Sequence, residues 1–265
     1  MVFLHLTHTH LDLLERCPRR LQYTYLDQLT APVDPTVLER QDWGKRFHLV
    51  LQQYQLGLPL QTLLDQQPDL KAAVEGLLTA APHLFPSPGS DPARVLSEHQ
   101  RTWFEQGYGF TVVYDLLRLT PTQAEIIDWK TYQHPPSLGQ LRRHWQTRLY
   151  CYGLVATSDW LPEQITITYW FIPPDPAATG ARPRCLRIPY NQVEHQRTQG
   201  ELQRLCQRLA TLQAQGGDFS QVAPEAGECQ RCPFALRCQR QAQEQAWPLP
   251  AIADIPEVAL APEPA

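Results

Sequence analysis

The chain has 265 residues, of which 43% are hydrophobic and 19% charged, and its formal net charge is −4. That length is enough for one large domain with a substantial buried core. The mean hydropathy of −0.39 and the lack of an apolar run of about 18 residues argue against a membrane-spanning protein. The N-terminus shows no secretory-signal pattern, so we expect a cytoplasmic protein with no membrane partner.

The first third of the chain, residues 1–92, has a helical pattern. Apolar residues recur at helical spacing, and Thr9 is predicted to cap the first helix. Pro18 and the pair Asp34–Pro35 are typical of helix starts, because proline suits the first helical position. The second of these signals predicts a helix that runs to about residue 56.

The pattern changes to strands in the middle of the chain. Strands are predicted at 95–103, 110–119, 124–129, 165–172 and 184–188, and helices at 138–157 and 193–212. Ser137 is a good N-cap for the first of these helices. This order predicts an α/β fold with a mixed central sheet flanked by helices.

The domain organisation follows from the same pattern and from composition. We expect a single domain over 1–245, with a helical part (1–92), a core (93–175) and a C-terminal strand and helix with a cysteine group (176–245). Residues 246–265 are rich in proline and alanine, which predicts a disordered tail. That tail carries three acids and no lysine or arginine, so the net charge of −4 becomes −1 over residues 1–245.

Two acids occur where strands are otherwise apolar. Asp115 follows Val-Val-Tyr, and Asp128 follows Ile-Ile and precedes Trp-Lys. A carboxylate in such a strand is costly unless it is paired or binds a metal. Asp128 and Lys130 project from one face of a strand because they are two residues apart. Spacing alone leaves two interpretations open: a Mg²⁺ site that acts on a phosphate, or a strand-end cap beside a solvated ion pair.

Seven cysteines need an explanation in a cytoplasmic protein, where stable disulfides are uncommon. Cys229, Cys232 and Cys238 fall within ten residues, which is typical of a metal site that needs a fourth thiolate. This spacing leaves structural zinc and an iron–sulfur cluster equally open.

Six short motifs, spread over residues 8–240 in one order, resemble those of the PD-(D/E)XK nuclease superfamily, in particular its RecB-like branch. That branch includes the nuclease domains of RecB and AddB and the CRISPR-associated iron–sulfur exonucleases. The matching segments are the opening helix Leu14–Tyr23, the Gly-x-x-x-His motif Gly44–His48, Asp115, the Asp-x-Lys motif Ile127–Thr131, the Gln-x-x-x-Tyr motif Gln146–Tyr150 and the cysteine motif Cys229–Cys238.

The resemblance implies a restriction-endonuclease-like core and a deoxyribonuclease that uses Mg²⁺ or Mn²⁺. The implied metal ligands are His48, Asp115 and Asp128, and the implied catalytic residues are Asp115, Asp128, Lys130, Gln146 and Tyr150. The implied substrate contacts are Gln146, Tyr150, Arg142, Arg143 and Arg148. The resemblance also favours a [4Fe–4S] cluster on Cys17, Cys229, Cys232 and Cys238 over structural zinc.

The implied function is an exonuclease acting on single strands or DNA ends in repair, recombination or CRISPR-type processing. The chain has no P-loop motif, so any unwinding would come from a helicase or from a CRISPR or recombination partner protein. One departure is Val112, where the family usually has glycine, which affects how closely DNA approaches that strand. Val112 and the near-neutral charge are also consistent with a catalytically silent DNA-binding or scaffold module of the same fold. A second alternative is a zinc-containing enzyme that acts on another phosphodiester, such as RNA.

Overall fold

A mixed six-stranded sheet forms the centre of the chain in the computed structural model, which describes residues 5–31, 34–86, 93–131, 135–174 and 180–240. The strands are β1 (His5–Leu6), β2 (Arg94–Glu105), β3 (Tyr108–Leu119), β4 (Ala124–Lys130), β5 (Ile165–Phe171) and β6 (Arg184–Pro189). The order of hydrogen-bonded strands in the sheet is β1-β3-β4-β5-β6, and β2 lies outside this order and pairs with β3. Strands β4 and β5 are parallel, as are β1 and β3, and the remaining pairs are antiparallel.

Eight α-helices surround or extend this sheet among the described residues. They are α1 (His8–Arg16), α2 (Pro18–Leu21), α3 (Pro35–Gln55), α4 (Gln61–Asp65), α5 (Pro68–Ala80), α6 (Leu138–Arg143), α7 (Trp145–Ala156) and α8 (Gln192–Gln215). Shorter turns of other helix types lie at Gln22–Leu26, Pro82–Leu84, Pro162–Gln164, Pro224–Ala226 and Glu228–Arg231. None of the helices in the described part of the chain is long and apolar enough to cross a membrane.

Each face of the sheet buries its own apolar cluster. Neighbouring residues of β4 separate cleanly, since Ile126 belongs to one cluster and Ile127 to the other. Helices α1, α7 and α8 supply the first cluster, and α3 and α5 supply the second. Burial of these two apolar faces stabilises a helix–sheet–helix arrangement, which confirms the predicted α/β class and its restriction-endonuclease-like core.

Local signals in the sequence account for most helix starts. Asp34 caps α3 by accepting a hydrogen bond from the Thr36 amide, and Ser137 accepts one from the Gln140 amide at the start of α6. The first helix differs from the prediction, because its N-cap is Thr7 and not Thr9.

The predicted helix at 138–157 is two helices. His144 has an extended backbone (φ −64°, ψ 135°) that ends α6, and its ring Nδ1 accepts a hydrogen bond from the Gln146 amide at the start of α7. The continuous apolar stripe gave no sign of this break. As a consequence, Gln146 lies in the first turn of α7 and not in the middle of a longer helix.

The chain divides into two compact units, residues 1–221 and 222–265, and each is described by itself. The first contains the whole sheet, and the second contains three of the cysteines in short turns. The single domain predicted over 1–245 stays a prediction. The predicted disordered tail, 246–265, lies outside the described residues.

Candidate active site

Three carboxylates lie in one row across β2, β3 and β4. The pairing of β2 with β3 runs from Arg94–Leu119 to Glu105–Tyr108 and passes over the facing residues Glu98 and Asp115. The pairing of β3 with β4 stops at Leu116–Ile127, so the next opposed residues are Asp115 and Asp128. Regular pairing is therefore interrupted on both sides of Asp115. We call Glu98, Asp115 and Asp128 the carboxylate row.

The side chain of Asp115 takes the place of a strand partner. Its Oδ2 accepts a hydrogen bond of 2.7 Å from the Trp129 backbone amide. Because the pairing of β3 with β4 stops at Leu116–Ile127, this amide has no backbone acceptor on β3, and the carboxylate provides one. Opposite it, Glu98 has φ of +48°, a left-handed conformation that costs a non-glycine residue about 1–3 kcal/mol. The strand backbone therefore departs from regular geometry at the row itself.

Helix α3 brings a histidine to one end of this row. His48 Nδ1 lies 3.4 Å from Asp115 Oδ1, and potential ligand atoms of His48, Glu98 and Asp115 all lie within 4.8 Å of one another. Burial opposes the charged form of His48, but Asp115, Asp128 and Glu98 outweigh it and raise its pKa above the ordinary value. Burial and the Asp115 charge likewise raise the pKa of Glu98. The site therefore has a negative potential that favours a cation.

These three residues fit a divalent metal ion. One imidazole nitrogen and two carboxylates form a hard, oxygen-rich ligand set suited to Mn²⁺ or Mg²⁺. A cation there would also relieve the repulsion between the Glu98 and Asp115 carboxylates. Among the described residues, Glu98 joins the predicted ligands His48 and Asp115 in this group, and the predicted ligand Asp128 stays a prediction.

Asp128 is part of a polar network with Lys130 and Gln146. Lys130 Nζ lies 2.6 Å from Asp128 Oδ2 and donates a 2.8 Å hydrogen bond to Gln146 Oε1. Gln146 Nε2 donates one of 2.6 Å to Asp128 Oδ1. Asp128 is only 1% exposed, and this burial raises its pKa while Lys130 opposes the shift. The amide of Gln146 thus fixes both ends of the Asp-x-Lys motif.

Tyr150 lies one turn after Gln146 on α7, as the motif spacing predicts. It is buried, its carbonyl accepts a 3.0 Å hydrogen bond from the Tyr114 hydroxyl, and burial raises the pKa of its own hydroxyl. The hydroxyl therefore remains protonated at neutral pH and can donate a hydrogen bond.

The three predicted arginine contacts have different surroundings. Arg142 and Arg143 are exposed on α6. Arg148 is buried, pairs with Glu201 at 2.8 Å and lies 4.0 Å from the ring centroid of Trp145. The pair with Glu201 joins α7 to α8, so we leave Arg148 out of the substrate contacts proposed below.

A glycine allows α3 to approach the Asp-x-Lys strand. A Cβ atom on Gly44 would lie 2.9 Å from Thr131 Oγ1, which is closer than real Cβ contacts allow. Gly44 precedes His48 by one helical turn. The glycine of the Gly-x-x-x-His motif therefore sets the position of the histidine.

The cysteines separate by burial. Cys151 and Cys206 are buried, which raises the pKa of both thiols, that of Cys206 to about 12, and keeps them protonated. Cys17, in the first unit, and Cys229, Cys232 and Cys238, in the second, are each partly exposed. The four cysteines of the predicted cluster are therefore more accessible than Cys151 and Cys206.

Comparisons with known proteins agree with this geometry. A family model described as the PD-(D/E)XK nuclease superfamily matches residues 5–239, so the chain belongs to that superfamily. Among curated proteins none matches the chain.

Two solved structures share much of its length. A "putative exonuclease" from Eubacterium rectale is 10% identical, with a TM-score of 0.54 over 90% of this chain and 89% of its own. The structure of SSO0001 is 18% identical, with a TM-score of 0.41 over 90% of this chain and 87% of its own. The first of these likenesses supports the fold. The family and the carboxylate row together identify the chain as a nuclease.

Gly44→Ala tests the close approach of α3. The added methyl group would displace α3 from Thr131 and move His48 away from Asp115, so we expect Mn²⁺ to bind about 10-fold more weakly or worse, as measured by electron paramagnetic resonance titration. Gly44→Ala with Thr131→Ala removes the clashing oxygen and should recover binding, with Thr131→Ala alone as the control. Wild-type affinity in the Gly44→Ala protein would contradict this role for the glycine.

Proposed function

We propose that the chain is a divalent-metal-dependent deoxyribonuclease, acting as an exonuclease on single strands or DNA ends. The observation that carries the proposal is the carboxylate row beside the Asp128–Lys130–Gln146 network. Membership of the nuclease superfamily supports hydrolysis of phosphodiester bonds. The resemblance to the RecB-like branch supports DNA as the substrate.

The metal ligands that we propose are His48, Asp115 and Asp128, with Glu98 added to them. When bound, a divalent cation supplies a Lewis acid that polarises the phosphoryl group and acidifies water. Glu98 and His48 complete the ligand set from β2 and α3, on either side of Asp115.

Lys130 is the proposed partner of the attacking water. Its ammonium is held between Asp128 and Gln146, so its position does not depend on the substrate. A fixed positive charge there can orient water and stabilise the negative charge that develops on the phosphate. Gln146 is proposed to act by holding Asp128 and Lys130, and Tyr150 and the exposed Arg142 and Arg143 by contacting the DNA backbone.

The geometry favours an enzyme over the catalytically silent module. Burying a carboxylate is costly, and the cost becomes severe if its partner is lost. A site that has lost its activity therefore has no need to keep such a carboxylate. Asp128 is nevertheless buried with both oxygens directed at Lys130 and Gln146. The near-neutral charge predicts modest, salt-sensitive DNA affinity, or a helicase, CRISPR or recombination partner that supplies positive surface.

Asp128→Asn and Lys130→Met test the proposed chemistry. Each keeps the size of the side chain but removes one charge of the pair, so we expect cleavage of labelled single-stranded DNA with Mn²⁺ to fall by about 100-fold or more. Glu125→Gln, on the same strand but bonded to Thr168, is the control and should cleave normally. Thermal unfolding followed by circular dichroism checks that each variant is folded.

Full cleavage by a folded Asp128→Asn or Lys130→Met protein would contradict these roles. DNA binding without cleavage by the wild-type protein, in either metal, would favour the silent module. Cleavage of RNA but not DNA would overturn the assignment of the substrate.

We propose further that Cys17, Cys229, Cys232 and Cys238 hold a [4Fe–4S] cluster, with structural zinc as the alternative. The spacing of the last three and the resemblance to iron–sulfur nucleases support it. Partial exposure distinguishes these four thiols from the buried Cys151 and Cys206.

Metal analysis of anaerobically purified protein tests the cluster. We expect a brown protein containing iron and acid-labile sulfide, and we expect Cys17→Ser and Cys229→Ser each to lose both. Cys185→Ser, at an exposed cysteine outside the set, should keep them. A colourless protein with stoichiometric zinc would replace the cluster with the zinc alternative, and loss of iron in the Cys185→Ser protein would contradict the ligand set.

A further inference from the structure

A large open cavity adjoins the carboxylate row. Its volume is about 1170 Å³, above the range of about 300–1,000 Å³ that is typical of small-molecule sites. His48, Glu98 and Thr131 form part of its wall, and the rest comes mainly from α3 between Val37 and Gln52. The cavity therefore leads from the proposed metal site along the exposed side of α3.

The wall of this cavity exposes apolar side chains beside charged ones. Val37 and Leu49, which are 38% and 47% exposed, contribute to it together with Trp43. Its cationic side chains are Arg40 and Lys45, and its carboxylates are Glu39, Asp69 and Glu98. Apolar side chains exposed in a cleft indicate a ligand that brings apolar surface to them.

Trp43 is held rigidly in this wall. Its indole Nε1 donates a 2.6 Å hydrogen bond to Asp69 Oδ2 on α5. Its ring stacks on Phe47, with centroids 5.6 Å apart and planes 11° from parallel. One face and the N–H edge of the indole are thus fixed by the protein, so the ring meets the cavity as a preformed flat surface.

We propose that this cavity binds an unpaired DNA strand, with a base stacked against Trp43 and the backbone led towards the carboxylate row. The inference rests on the nuclease function proposed for the same site and names the feature that selects single-stranded substrate. Unpaired bases expose apolar faces that stack on aromatic rings in any sequence. In a duplex the bases are stacked on one another inside the helix, so their faces are not available to Trp43.

Arg40 is the proposed backbone contact in the cavity. It lies on α3 three residues before Trp43, so both side chains occupy the same side of the helix. A strand with its base on Trp43 places a phosphate within reach of a long cationic side chain at that spacing.

Binding of fluorescent oligothymidine of about 12 nucleotides tests the proposal by anisotropy in Ca²⁺, with gel electrophoresis to check that the probe stays intact. We expect Trp43→Leu to weaken binding about 5- to 150-fold, because base–aromatic stacking is lost. Trp43→Phe keeps a ring and should recover most of the affinity. Phe104→Leu, at an exposed aromatic residue outside the cavity, is the matched control and should bind as the wild type does.

Two further readouts separate stacking from a structural effect. Arg40→Gln should lower the slope of log Kd against log salt concentration by about 0.7, as expected when one phosphate contact to a single strand is lost. Arg187→Gln, at an exposed arginine on β6, is the control and should leave this slope unchanged. Unlabelled duplex of the same length should compete at least 10-fold less well than unlabelled single strand.

The outcomes distinguish this inference from the nuclease proposal. Equal binding by folded Trp43→Leu and wild-type proteins, or equal competition by duplex, would overturn the inference even if the wild type cleaves DNA. Loss of binding in Trp43→Leu with recovery in Trp43→Phe would support it even if the wild type cleaves nothing.

Discussion

The hydrogen bond from the Trp129 amide to the Asp115 carboxylate is the interaction on which the site depends. In a regular sheet the ladder between β3 and β4 would continue past Leu116–Ile127, and Asp115 and Asp128 would face each other as an ordinary cross-strand pair. Because the Asp115 side chain accepts that amide at 2.7 Å, the ladder stops there. Like charges directly opposite each other are destabilising, so the row persists only with compensating groups around it.

Those compensating groups come from helices on opposite faces of the sheet. Helix α7 contributes Gln146, whose amide bonds to both Asp128 and Lys130, and the break at His144 places it in the first turn. Helix α3 contributes His48, whose approach to Asp115 requires the missing side chain of Gly44. The remaining carboxylates lie on the α3 side, where His48, Glu98 and Asp115 could hold a cation and where the cavity adjoins them. The proposed metal site and the proposed strand-binding surface are thus parts of one wall.

Much of the fold and part of the site could be predicted from the sequence because the decisive residues interrupt clear patterns. Asp115 and Asp128 were identified because each breaks an apolar strand, and the sheet class followed from the spacing of those strands. Glu98 was missed because its neighbours in β2 are largely polar, so an acid there does not stand out as Asp115 and Asp128 do among apolar neighbours. The break at His144 could not be predicted because no proline or glycine lies at that position. Strand β1 could not be predicted because it is only two residues long. The positive φ at Glu98 reflects tertiary contacts that no local pattern encodes.

The most direct measurement is anomalous diffraction from crystals of the protein grown with Mn²⁺. The ion should appear at the carboxylate row, with His48, Glu98 and Asp115 among its protein ligands. An occupied Mn²⁺ site elsewhere, with no anomalous peak at the row, would contradict the assignment of this interruption in the sheet as the metal centre of the nuclease.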